Sequence, residues 1–311
     1  MKIPLFLILF AAIFPLVGNG QGTPSGNDPN ADPRDREQAR KADELREKQR
    51  QAMRDLTEHG VRPAYTPNEV AAMRGDWEKR LKEIRKVDPS EVANYRAFLK
   101  SKGTGVFRLL PNFDCVSKEL IKTDGECSGF VPDMSDFSFR IRDYSDREFH
   151  DIGYLRDEFV TDSFFSQGIL VSLGNVPIED AGVTNAGMKF LVDLLPDTMA
   201  SAARRTAQRF KKGVVSDGFT YSDHVKVAEN TTYALRFIGY KPADHSPDGS
   251  TAFERKLSYL DYYKRLDTLV IFRVVRLDPT GPLTIVWKEL SRKNAMRLKF
   301  NKDEKPYDFT Y

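Results

Sequence analysis

The sequence predicts an α+β protein: an N-terminal helical arm, then a mostly antiparallel β domain with a helical insertion. Three observations carry that expectation. Apolar residues recur at helical spacing as far as Gly103 and at a period near two from Thr104 onward. The C-terminal third holds paired strand-like runs joined by short turn sequences. Between them, Met188 to Lys212 returns to helical spacing.

The order begins with an export signal. Met1-Lys2 gives a positive start, Ile3 to Val17 is almost wholly apolar, and Gly18-Asn19-Gly20 puts small residues where a signal peptidase reads. The apolar run is shorter than the roughly 20 residues a membrane-spanning helix needs, and Pro15 interrupts it. Residues 1–20 are therefore read as a signal peptide cleaved after Gly20. The mature chain is expected to be soluble and secreted or periplasmic, with no transmembrane segment. Residues 21–33, rich in Gly, Pro, Asn and Asp, read as a disordered linker.

Residues 34–103 form a charged helical region. From 34 to 58, good helix formers carry few apolar residues, which suits a solvated helix. Thr66-Pro67-Asn68-Glu69 has the form of a capping box with proline at the first helical position. Val70, Met73, Trp77, Leu81 and Ile84 make the stripe that follows. Asp88-Pro89 starts a further helix with Val92, Tyr95, Phe98 and Leu99 on its apolar face, and Gly103 ends it.

Residues 104–311 form the β-rich domain. Val106–Leu110, Phe137–Arg142 and Ile169–Leu173 read as strands. The second alternates, with apolar side chains on one face and Ser and Arg on the other. Met188–Leu195 and a helix capped by Asp197 and closed at Gly213 make the insertion. Phe219–Val227 and Thr231–Tyr240 read as a hairpin turning at Glu229-Asn230. Phe253–Tyr263 reads as more helical. Thr268–Arg276 and Leu283–Leu290 read as a second hairpin with a type I turn at Asp278-Pro279-Thr280-Gly281.

With a formal charge of +3, no global field points to nucleic acid, and no nucleic-acid partner is expected. In an exported chain the two cysteines, Cys115 and Cys127, are expected to form a disulfide. Gly125-Glu126-Cys127-Ser128-Gly129 matches the spacing of a nucleophile elbow. It lacks the preceding strand and following helix, and Pro132 opposes a helix there. His150-Asp151 and Asp223-His224 could each be half of an acid–base pair. Acidic residues crowd Asp133 to Asp162 without the spacing of a calcium loop. No metal site or cofactor is expected. Asn230-Thr231-Thr232 is a glycosylation sequon.

The most suggestive feature is the second insertion helix, which carries Arg204, Arg205, Arg209, Lys211 and Lys212 on one face. Such a face suits an envelope component, an anionic polymer or anionic lipid. The function expected from the sequence is that of a non-enzymatic exported binding protein. The alternative is a secreted hydrolase using carboxylates with His150 or His224.

Overall fold

The computed structural model describes residue 47, residues 67–117, 120–132, 134–145, 149–242, 265–279 and 281–302, and residue 304. The signal segment, the linker, Thr66 and the segment Phe253–Tyr263 lie outside the described residues, as does the charged arm of residues 34–58 apart from Glu47. The chain divides into two units, residues 1–77 and 78–311. Of the first, the described residues are Glu47, which is helical, and the start of helix α1 (Pro67–Arg85).

In the second unit, Asp88 caps α2 (Pro89–Asn94): its Oδ1 accepts hydrogen bonds from the Ser90 backbone N–H at 2.9 Å and hydroxyl at 2.8 Å. The helix is shorter than its spacing predicts and gives way to a 3-10 turn at Phe98–Lys100. Among the described residues, sixteen strands follow. The first seven are β1 (Thr104–Leu109), β2 (Val116–Ser117), β3 (Leu120–Ile121), β4 (Asp136–Ser138), β5 (Asp143–Tyr144), β6 (Ile152–Leu155) and β7 (Glu158–Val160). The long β8 (Ser166–Gly174) leads to helices α3 (Met188–Asp193) and α4 (Ala200–Lys212). Then come β9 (Val214–Ser216), β10 (Phe219–Tyr221), β11 (His224–Lys226), β12 (Thr231–Gly239) and β13 (Lys241–Pro242). The last three are β14 (Leu266–Leu277), β15 (Leu283–Asn294) and β16 (Arg297–Leu298).

Two five-stranded antiparallel sheets dominate. The larger has the order β1-β15-β14-β12-β8, the smaller β11-β7-β6-β4-β5. Alternation along each strand sends opposite side chains to opposite faces. On one face of the larger sheet, Phe107, Leu170, Tyr233, Leu235, Phe237, Phe272, Ile285 and Trp287 meet Phe137, Phe139, Ile152, Tyr154 and Phe159 of the smaller sheet side. Phe107 stacks on Phe137 with ring centres 3.7 Å apart. On the other face, Ile169, Val171, Ala234, Ile271 and Val286 pack with Met188, Leu191 and Phe210 of the helices. The larger sheet is therefore the middle layer, with both faces covered. This is the α+β architecture the sequence predicts.

Several local expectations change. The turn at Glu229-Asn230 does not join a hairpin. β12 pairs with β8 and β14, while β11 crosses to β7 in the other sheet. The hairpin lies earlier instead, where Asp217 and Gly218, at φ of +51° and +80°, turn β9 into β10. The strand expected over Phe137–Arg142 stops at Ser138, because the chain turns and Arg142 takes a φ of +60°. On its Ser and Arg face, Ser138 is fully buried and Arg140 nearly so, while Arg142 is exposed. The second insertion helix starts at Ala200 without a side-chain cap from Asp197. The Ala200 N–H instead donates to the Lys299 carbonyl at 2.9 Å. The β14–β15 hairpin stands as read, with the Gly281 N–H donating to the Asp278 carbonyl at 2.8 Å.

The disulfide joins Cys115 to Cys127 across a Cα separation of 5.4 Å. Cys127 lies in a short 3-10 helix over Gly125–Gly129 and, being bonded, is no nucleophile. Closing a loop of 12 residues stabilises the fold by about 3 kcal/mol in the chain-entropy picture. Among the described residues, no helix is long and apolar enough to cross a membrane.

Candidate functional site

The site with the strongest charge pattern is the outer face of α4. Ala200, Ala203, Ala207 and Phe210 recur at three- and four-residue intervals and are buried against the sheet and its neighbours. Helical spacing in the sequence predicts a buried stripe of Met199, Ala203, Thr206 and Phe210. The observed one shifts by a residue at two places, which keeps alanines at the closest approach. At 3.6 residues per turn, Arg205, Arg209 and Lys212 then fall opposite that stripe. Arg205, Arg209, Lys211 and Lys212 are all exposed.

Arg204 differs from the other four cations. It is half-buried and pairs with Glu304. Glu304 lies in the chain after β16, and that chain runs beside the first half of α4. Lys299 exchanges backbone hydrogen bonds with Thr198 and Ala200, both at 2.9 Å. The Asn301 N–H then donates to the Glu304 carboxylate at 2.8 Å. This places exposed Lys299 and Lys302 on the strip flanking the helix. Spacing within the helix gives no hint of those two lysines, because the tail reaches α4 only through the fold. Gly213, at φ of +82°, closes the helix, so Lys211 and Lys212 sit where the helix dipole is negative.

The two histidine pairs have different surroundings. His150 is fully buried, with Nδ1 3.0 Å from Asp136 Oδ1 and Nε2 3.2 Å from Asp162 Oδ1. The carboxylates sit off the ring N–H directions, so these are ion pairs more than aligned hydrogen bonds. Burial by itself would depress the imidazolium. The charges and contacts of Asp136 and Asp162 outweigh it and raise the pKa to about 9. His150 is thus a buried cation clasped between two carboxylates. Asp151, expected as its partner, instead takes Arg140: Nε donates to Oδ1 at 2.5 Å and the Arg140 N–H to Oδ2 at 2.9 Å.

His224 is exposed at the start of β11. Its Nδ1 lies 2.6 Å from Asp223 Oδ1 and 3.1 Å from the Ser222 hydroxyl. A serine–histidine–aspartate relay needs the serine and the carboxylate on opposite ring nitrogens. Here both meet the same one. His224 borders a cleft of about 490 Å³ between the end of β8 and the β10–β11 region, together with Ser172, Gly174, Phe219, Thr220 and Ser222. Sequence reasoning missed this cleft, because β8 and β10 are neighbours only in the fold.

The acidic run disperses. Asp136 turns to His150, Asp151 to Arg140 and Asp157 to Lys226 at 3.9 Å, while Asp133, Asp146 and Glu148 lie outside the described residues. Among the described residues, no group of three or more His, Cys, Asp or Glu is placed to hold a metal ion. In the sequon, Asn230 is exposed, but the Thr232 hydroxyl is buried and donates to the Val176 carbonyl. Compared with known families, with curated proteins and with solved structures, the chain matches none.

Proposed function

We propose that this chain is an exported, non-enzymatic binding protein that attaches to an anionic polymer of the cell envelope or extracellular space through α4. The carrying observation is a helix whose apolar stripe is already used in the core while Arg205, Arg209, Lys211 and Lys212 face outward. A helix that enters a lipid surface needs a free apolar face. With that face occupied, the exposed face of α4 is polar and mostly cationic, which favours a linear polyanion over a bilayer. Lys299 and Lys302 add exposed cations in the chain beside the first half of α4. Export rests on residues 1–20. The disulfide and the absence of a membrane-crossing helix among the described residues are compatible with that location.

The test uses polyphosphate as probe. The variant R205Q/R209Q/K211Q/K212Q should lose at least tenfold in affinity, given about 1 kcal/mol per cation at an anionic surface, and wild-type binding should weaken with added salt. Equal affinity in the two proteins contradicts the proposal. A second arm uses phosphatidylglycerol vesicles: stronger binding to vesicles than to polyphosphate would transfer the role to lipid.

A hydrolase reading would centre on His224, which has a carboxylate, a hydroxyl and a cleft beside it. His150 suits it less, since a substrate cannot reach a ring with no exposed surface.

A further inference from the structure

We infer that the polyanion bound by α4 continues onto a second cationic surface, the outer face of β13 and β16, so that the partner is a polymer long enough to cover both. The inference rests on the α4 reading and extends it to Lys241 and Arg297. β16 pairs in parallel with β13, with Arg297 opposite Lys241. On its other side, the chain bridges in parallel to the segment leading into α4, with Lys299 opposite Met199. Alternation then sorts the side chains. Leu298 is fully buried in one cluster with Ala200 and Ala203 of α4, while Arg297 and Lys299 are exposed. Lys241, in register with Arg297, stands on the same outer face and is half-buried. Leu298 and the α4 alanines face the same cluster, so both cationic faces turn away from it.

This grouping of charge works against the fold. Neighbouring strands lie about 4.8 Å apart, and alternate residues about 6.6 Å along a strand, so Lys241 and Lys299 both flank Arg297 closely. Like charges set opposite one another on adjacent strands are destabilising. Other arginines of this unit are matched by acids, as Arg236 is by Asp267 and Arg292 by Glu289. Among the described residues, Lys241, Arg297 and Lys299 form no ion pair, and neither do Arg205, Arg209, Lys211 and Lys212. Asp197, two residues before Met199, pairs with none of them.

An anionic polymer supplies the missing counter-charge at both faces. The Ala200 N–H donates to the Lys299 carbonyl at 2.9 Å, so the second face adjoins the first turn of α4. Arg205 lies about 7.5 Å farther along the helix axis and Lys212 about 18 Å. A linear chain lying along α4 toward its N-terminus therefore runs onto Lys299 and from there onto Arg297 and Lys241. Once one face is engaged, the other is met at high effective concentration, which makes affinity depend on polymer length.

The experiment compares long-chain polyphosphate with tripolyphosphate on the intact, disulfide-bonded protein. Wild type should bind the long chain about tenfold or more tightly per phosphate group. K241Q/R297Q/K299Q should lose most of that advantage and show a shallower salt dependence. In the unsubstituted protein, the long chain should shift the backbone amides of Lys241 and Arg297, a readout that needs no variant to fold. Unshifted amides at both positions, or equal affinity per phosphate for the two probes, overturn the inference and leave α4 as the binding face. If R205Q/R209Q/K211Q/K212Q binds the long chain as tightly as wild type, the α4 reading falls and this inference with it.

Discussion

Buried charge is handled at single residues by arginines that tie loops to the larger sheet. Arg236 donates from Nε and Nη2 to the two oxygens of Asp267 at 3.0 and 2.7 Å, and from Nη1 to the Leu191 and Leu194 carbonyls. It thereby holds the end of α3 to β12. Arg273 does the same for the loop after β8, donating to Val176 O and Asn175 Oδ1. Arg265 reaches the Phe164 and Phe165 carbonyls. In the sequence, Arg140 and Arg236 alternate with aromatic residues and read as the wet side of half-buried strands. Nothing local reveals that a helix layer or a loop will cover that side. Breaking such a pair leaves an uncompensated buried charge, which costs about 3–5 kcal/mol.

The same scale holds a pH prediction at His150. Its folded-state pKa of about 9 lies above the ordinary value of 6.5. A raised pKa means that the folded state holds the proton more tightly. The stabilisation is complete below pH 6.5 and is lost as pH rises through about 9. Urea midpoints measured from pH 6 to pH 10 should fall across that window, and H150Q should remove this fall. A wild-type midpoint that stays level across the window would contradict the clasp.

Among the elements, close approaches decide where the sheets can meet. A Cβ at Gly168 on β8 would stand 2.2 Å from the Thr161 Cβ. That contact involves the root of a β-branched side chain, which cannot swing away. G168A should therefore destabilise the fold by about 1–3 kcal/mol, the cost of an overpacked core, read as a lowered urea midpoint. A midpoint within error of wild type would show that β8 and the chain after β7 can part freely. Helix caps and hairpins sort the same way. Asp88-Pro89 and the Asp278–Gly281 turn act within a few residues and are legible in the sequence. The start of α4 is set by the Lys299 carbonyl, distant in the chain, so Asp197 was a false signal. Likewise β11 leaves its sequence neighbour β12 for β7, a choice made by the opposing sheet.

Across the whole second unit, the composition of layers was readable and their arrangement was not. Periodicity separates helix from strand and identifies an antiparallel β domain with a helical insertion. It does not say that there are two sheets, or that the larger lies between the smaller sheet and the helices. Both faces of a middle layer are apolar or carry satisfied arginines, which blurs the alternation on which the reading depends. The candidate surface on α4 was legible, since its cations follow helical spacing. The flanking lysines and the β8 cleft were not, because tertiary contacts assemble them. The functional account rests on one division of labour: the apolar side of α4 belongs to the core and its cationic side to a polyanion. Titrating isotope-labelled protein with polyphosphate and following backbone amide shifts tests it most directly. The account predicts salt-sensitive shifts centred on residues 201–212 and 299–302. Shifts centred on Ser172, Thr220 and His224, or none anywhere, would contradict it.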